Sequence, residues 1–135
     1  MRLLIDANII LDVLQKREPH YEDSSKVWKL CETDLGEGFV SALSFANLMY
    51  VMRRELSPDK IEEIMTSLSL IFEFEDMRAK DVKNAVGMKW EDFEDAVQAA
   101  TAVRINADYI ITRNVKDYRQ SKIPALTPTE FLERL

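Results

Sequence analysis

Short unbroken apolar runs alternate with longer stretches in which apolar positions recur every three or four residues, and this alternation covers nearly the whole chain. Leu3-Leu4-Ile5 is apolar on both sides, as a buried strand of a parallel sheet requires, and the spacing from Ile9 to Leu14 predicts a helix straight after it. Pro19 breaks the chain, Tyr21 to Leu35 has helical spacing, and Gly36 and Gly38 punctuate before a second strand, Phe39-Val40-Ser41-Ala42. Phe45, Leu48, Met49 and Met52 share one face of the next helix. Ser57-Pro58 opens another, with Ser57 as N-cap, Pro58 in the first position and Ile61, Ile64, Met65 and Leu68 along it. Leu70 to Phe74 predicts a third strand and Lys80 to Val86 a short helix. Phe93, Ala96, Val97, Ala100 and Val103 form a stripe along a helix running from Phe93 towards Ala107, and Asp108 to Thr112 predicts a fourth strand. Thr127-Pro128-Thr129-Glu130 is a capping box opening a last helix. Strand and helix in turn mean right-handed crossovers, hence an α/β fold whose mostly parallel sheet is covered on both faces.

Composition narrows the picture. A chain of 135 residues with 47% apolar content forms one domain, residues 1–135. Three glycines leave no room for a P-loop or dinucleotide loop, and no stretch resembles a linker. No apolar run approaches the ~18 residues of a membrane span, and the cytoplasm is the expected compartment. Cys31 is alone and reads as a small buried side chain; His20 is alone and sits in a Pro-His-Tyr turn, so no Ser-His-Asp arrangement can be drawn. A net charge of −6 argues against a broadly basic nucleic-acid binder, yet Arg53, Arg54, Arg78, Lys80, Arg104, Arg113, Lys116, Arg119 and Lys122 remain available to meet backbone phosphates.

Four aspartates point to chemistry. Asp6 closes the first strand, Asp92 and Asp95 open the long helix, and Asp117 follows the fourth strand. In an open parallel sheet the carboxyl ends of the strands share one edge, where sites form. Each aspartate also has a purely structural reading: Asp6 as a turn or N-cap residue, with Asn8 in a similar role, Asp92 as an N-cap, Asp95 as its capping-box partner, and Asp117 as the end of a turn. Their joint arrival at one edge is harder to explain that way. Asp92 and Asp95, three apart, lie on one helix face, whereas Glu91 and Glu94 read as its solvated flank. Carboxylates so gathered suit a hard divalent cation, Mg²⁺ or Mn²⁺, and with it phosphodiester hydrolysis without a protein nucleophile.

The blocks carrying these residues resemble the PIN-domain ribonucleases, a family that includes many toxins of toxin–antitoxin pairs. Leu4 to Asp12, Val40 to Ser44, Asp95 to Ala102 and Asp108 to Tyr118 match its four blocks in order. The resemblance implies a three-layer α/β/α sandwich of four to five mostly parallel strands. It also implies Asp6, Asp95 and Asp117 as metal ligands, Asp92 as a further acidic neighbour, Asn114 and Thr112 positioning a water or a phosphate, and Asn8 and Asn47 as further substrate-positioning residues. Its members act on RNA, are often homodimers and often pair with an antitoxin protein. One position departs: where the family usually carries a glutamate early in the helix after the second strand, this chain has Asn47, which can ligate through its carbonyl oxygen but brings no charge.

Two readings from different classes follow. The first is a Mg²⁺- or Mn²⁺-dependent endoribonuclease, the toxin of a toxin–antitoxin pair. The second, favoured by Asn47 and the acidic balance, is a PIN-like module that binds RNA or a protein without cutting. A phosphatase on a similar sheet fits less well: Asp6-Ala7-Asn8 lacks a second aspartate, and Thr112-Arg113 stands where a receiver domain needs lysine.

Overall fold

A computed structural model describes all 135 residues. The elements in chain order are β1 (Arg2–Ile5), α1 (Ala7–Leu14), α2 (Tyr21–Glu32), β2 (Glu37–Ser41), α3 (Ala42–Met52), α4 (Pro58–Ile71), β3 (Glu73–Glu75), α5 (Ala79–Met88), α6 (Phe93–Arg104), β4 (Tyr109–Ile111), a 3-10 turn (Val115–Tyr118), β5 (Ala125–Leu126) and α7 (Pro128–Glu133). The five strands run in the order β3-β2-β1-β4-β5, with every neighbouring pair parallel. The fold is thus the α/β/α sandwich expected, with β5 as the fifth strand.

The pleat divides the core into two layers. Leu3, Ile5, Val40 and Ile111 project to one face, where they meet Ile9 and Ile10 of α1, Val27 of α2, Leu48 of α3, Leu68 of α4 and Phe131 of α7. Leu4, Phe39 and Ile110 project to the other, against Ala99 and Ala102 of α6 and Tyr118 of the 3-10 turn. α5 packs on the outer side of α6 through Ala85, Ala96 and Val97. No helix is long and apolar enough to cross a membrane.

Several boundaries differ from the sequence reading. α4 runs on through Leu70 and Ile71, so the third strand is Glu73–Glu75. The helical face of Ile61, Leu68 and Phe72 stays buried, while Leu70, out of phase with it, is 85% exposed. α2 stops at Glu32, because Asp34 adopts a left-handed conformation (φ 60) and the Leu35 N–H turns back to the Leu30 carbonyl at 3.0 Å, leaving Leu35 exposed. Gly38 is not punctuation before β2 but a member of it, opposite Leu3. A Cβ there would lie 2.7 Å from both Cys31 Sγ and Phe72 Cδ1, so the absent side chain lets α2 and the end of α4 close on the strand. On α6 the predicted stripe is replaced by a continuous buried run, Ala96 to Ala102, because the helix is covered by the sheet on one side and α5 on the other; Phe93 and Val103 are exposed.

Candidate active site at the carboxyl edge of the sheet

β1 and β4 are neighbours, but the chain leaves them towards opposite faces: α1 packs in one layer and the 3-10 turn in the other. This is a topological switch point, where a crevice opens beyond the strand ends. Asp6 follows directly on Ile5, and its N–H continues the ladder to the Ile111 carbonyl at 3.0 Å. Thr112 follows on Ile111 and is fully buried; its hydroxyl donates to Asp6 Oδ2 at 2.8 Å and accepts the Asn114 N–H at 3.1 Å. Thr112 thus orients the Asp6 carboxylate from a fully buried position. Burial pushes the Asp6 carboxyl up, against the opposing pulls of Thr112, the Ala7 N–H and Arg113.

The first turn of α6 arrives at the same edge. Asp92 is its N-cap, accepting the Asp95 N–H at 3.0 Å. The reciprocal half of a capping box does not form; Asp95 Oδ1 instead accepts the Tyr118 hydroxyl at 3.2 Å. Burial, and then the charges of Asp92, Asp117 and Asp6, push the Asp95 carboxyl up to about 6, with Tyr118 opposing them. Tyr118 is itself buried, and that burial, together with Asp6 and Asp95, raises its hydroxyl far above the usual range.

Asp95 lines two adjoining clefts. The small inner one holds Asp6, Ser44, Asn47, Glu94 and Tyr118; the wider outer one holds Asp92, Asp117, Lys89 and Lys116. The four predicted aspartates thus border two clefts that share Asp95. Glu94 is exposed, as a solvated flank would be, and also lines the inner cleft, where Asn47 Nδ2 donates to Glu94 Oε2 at 3.4 Å. Asn114 is exposed on the loop before the 3-10 turn. Asn8 lines neither cleft, and its Oδ1 is buried without a partner.

Three supporting arrangements were not legible as such in the sequence. Behind the inner cleft, Ser41 Oγ donates to Gln98 Oε1 at 2.7 Å and Gln98 Nε2 donates to Ser44 Oγ at 3.1 Å, with all three residues buried. This network fixes the start of α3 against α6. Asp12, fully buried, accepts from Ser24 Oγ at 3.2 Å and pairs with Arg113 Nε at 3.0 Å, tying α1 to the loop after β4. Arg104 donates to both Asp81 oxygens at 2.8 and 3.0 Å and to Glu75 Oε1 at 2.6 Å, clamping α6 to β3 and α5.

The donor set fits a hard divalent cation in chemistry: its carboxylates come from β1, α6 and the 3-10 turn, and their charges raise Asp95 together. As placed, no three acidic, His or Cys side chains stand close enough to hold a metal ion jointly. Asp6 is held towards Thr112 and Asp95 towards Tyr118. The paired clefts are a gathering of carboxylates, not a closed coordination sphere.

A doubly wound parallel sheet with an acidic crevice at its switch point defines the class. Within that class the chain belongs to the PIN domain family, whose model matches residues 2–116. Solved structures with the same fold include VapBC-1 from nontypeable Haemophilus influenzae, at 17% identity and TM-score 0.73, covering 96% of this chain and 99% of that one. VapBC2 from Rickettsia felis, bound to a DNA fragment from its promoter, matches at 16% identity and TM-score 0.72, covering 94% and 98%. The Mycobacterium tuberculosis toxin VapC20, which cleaves the sarcin–ricin loop, matches at 12% identity and TM-score 0.63, covering 80% and 86%. At these identities the likeness is one of fold. No curated protein matches the chain significantly.

Proposed function

We propose that the protein is a divalent-metal-dependent endoribonuclease acting at the acidic crevice, and the toxin of a toxin–antitoxin pair. The observation that carries this reading is the crowding around Asp95, whose carboxyl is raised by burial and by the charges of Asp92, Asp117 and Asp6 at a switch-point crevice. Such mutual repulsion is relieved by a cation. Asp6, Asp95 and Asp117 hold Mg²⁺ or Mn²⁺ in this reading, and Asp92 adds to the field. The bound ion supplies charge neutralisation and Lewis acidity at the scissile phosphate. Glu94 returns to the inner cleft the negative charge that Asn47 lacks, and their contact at 3.4 Å supports this exchange of roles. Thr112 and Tyr118 orient Asp6 and Asp95, and Asn114, exposed beside Asp117, positions a water or a phosphate.

A solved toxin–antitoxin complex of the same fold, from Klebsiella pneumoniae, supports an antitoxin as partner. Exposed Tyr50, Leu70 and Phe74 offer apolar surface for that contact or for a homodimer. The test is cleavage of RNA with Mg²⁺, with Mn²⁺ and with EDTA, in the unmodified protein and in Asp6→Asn and Asp95→Asn. The reading expects metal-dependent cleavage that falls by roughly 10²-fold or more in both variants. Equal cleavage in the variants would remove the crevice from the chemistry.

A second reading, a module that binds RNA or protein without cutting, is favoured by the neutral Asn47 and by carboxylates that do not jointly reach one ion as placed. It predicts no cleavage with any metal and weak or undetectable Mn²⁺ binding.

A further inference from the structure

The wider of the two acidic clefts does not end at Asp117. Two of its lining residues, Trp90 and Gln120, also line a neighbouring cleft between α5, α6 and the segment after the 3-10 turn. That second cleft has Lys80, Lys122 and Arg104 around an apolar floor of Trp90, Met88 and Val103, and no acidic residue lines it. Arg104 is committed to Asp81 and Glu75, but Lys80, Lys89, Lys116, Arg119 and Lys122 enter no ion pair. In a chain of net charge −6, an acid-free trough adjoining a cleft lined by Glu91, Asp92, Asp95 and Asp117 is a local change of charge.

The combination selects among polyanions. Cations alone would suit any of them. Trp90, only partly buried, sits at the junction of the two clefts and meets Tyr118 edge-on, with centroids 6.0 Å apart at 77°; Tyr118 in turn holds Asp95. An aromatic at such a junction, with free lysines on either side, matches a chain that alternates phosphates with flat apolar faces. Those faces are open in a single strand and stacked away in a duplex.

We propose that this trough seats a single-stranded RNA segment running outward from the acidic crevice, with Lys89 and Lys122 meeting phosphates and Trp90 forming the platform for one unpaired base. The inference rests on the nuclease reading only for the place of the cut; the binding it describes needs no metal.

The experiment is fluorescence anisotropy in EDTA with the full chain, using a labelled 12-nucleotide single-stranded RNA, the same sequence as a duplex, and polyglutamate as competitor. The expected result is preference for the single strand. Trp90→Ala should weaken it about 5- to 150-fold, the equivalent of losing ~1–3 kcal/mol of stacking, and Trp90→Phe should retain most of it. Because Trp90 also packs on the core, Lys89→Ala/Lys122→Ala provides a second variant on exposed positions. Its affinity should fall and the slope of log affinity against log salt should flatten by roughly 1.4, or about 0.7 per phosphate contact. Duplex binding as tight as the single strand, equal competition by polyglutamate, or unchanged binding in both variants would each overturn the proposal. Single-strand binding at the trough without metal-dependent cleavage would sink the nuclease reading and leave this one standing. Cleavage with unchanged variant binding would do the reverse.

Discussion

A carboxyl raised to about 6 makes Asp95 the residue at which pH should act. The sign follows from comparison with the usual value of 3.8. In the folded chain Asp95 holds its proton more tightly than in the unfolded one, so its contribution to stability is fully present below pH ~4 and is lost as pH rises through ~6. Asp95→Asn removes that loss. Thermal melts should find the variant more stable than the unmodified protein at pH 7, with the difference vanishing near pH 4; a difference that grew on acidification would contradict this assignment. A proton and a cation also compete for the same oxygens, so Mn²⁺ affinity should fall from pH 7 to pH 5. Of the residues lining the two clefts, the four aspartates could be placed at this edge because strand ends and helix starts are legible. The contact of Glu94 was not: it is adjacent to Asp95 in sequence, and only the position of α3 decides that its carboxylate meets Asn47. The surroundings of Thr112 were not legible for a related reason. Sequence places it at the strand end, but only packing reveals that it is sealed behind Asp6.

At the scale of elements, the crevice depends on α6 being held at a fixed height against the sheet. The Arg104 fork on Asp81, with Glu75 beside it, does this from the far end of the helix. Burial works to raise the Asp81 carboxyl, but Arg104 and the Arg78 N–H outweigh it and leave it lowered. Arg104→Ala would strand a buried carboxylate and should cost about 3–5 kcal/mol in chemical denaturation; a cost under about 1 kcal/mol would mean that the clamp is decorative. Gly38→Ala is the corresponding test of β2. Contact distances of 2.7 Å to Cys31 and Phe72 should force α2 or the end of α4 outward and lower the melting temperature, with little direct effect on the crevice. The elements themselves were legible wherever one face repeats, as in α1, α3 and α7. They failed where context overrides periodicity: Leu70 and Ile71 have strand-like composition but complete a helix already nucleated at Ser57.

At the scale of the molecule, strand order decides the site. Only because β1 and β4 are neighbours that send the chain to opposite faces do Asp6 and Asp117, separated by most of the sequence, border clefts that meet at Asp95. The parallel α/β class was legible from the alternation of elements; the order β3-β2-β1-β4-β5 was not, since nothing local in a buried strand names its neighbour. The central claim, that these clefts bind a divalent cation through their carboxylates, is tested most directly by calorimetric titration of Mn²⁺ at pH 7.5 into the protein and into Asp6→Asn and Asp95→Asn, with circular dichroism to establish that each variant is folded. The unmodified protein should bind saturably, and both folded variants should lose that binding. Undiminished binding in the variants, or none in the unmodified protein, would contradict the claim.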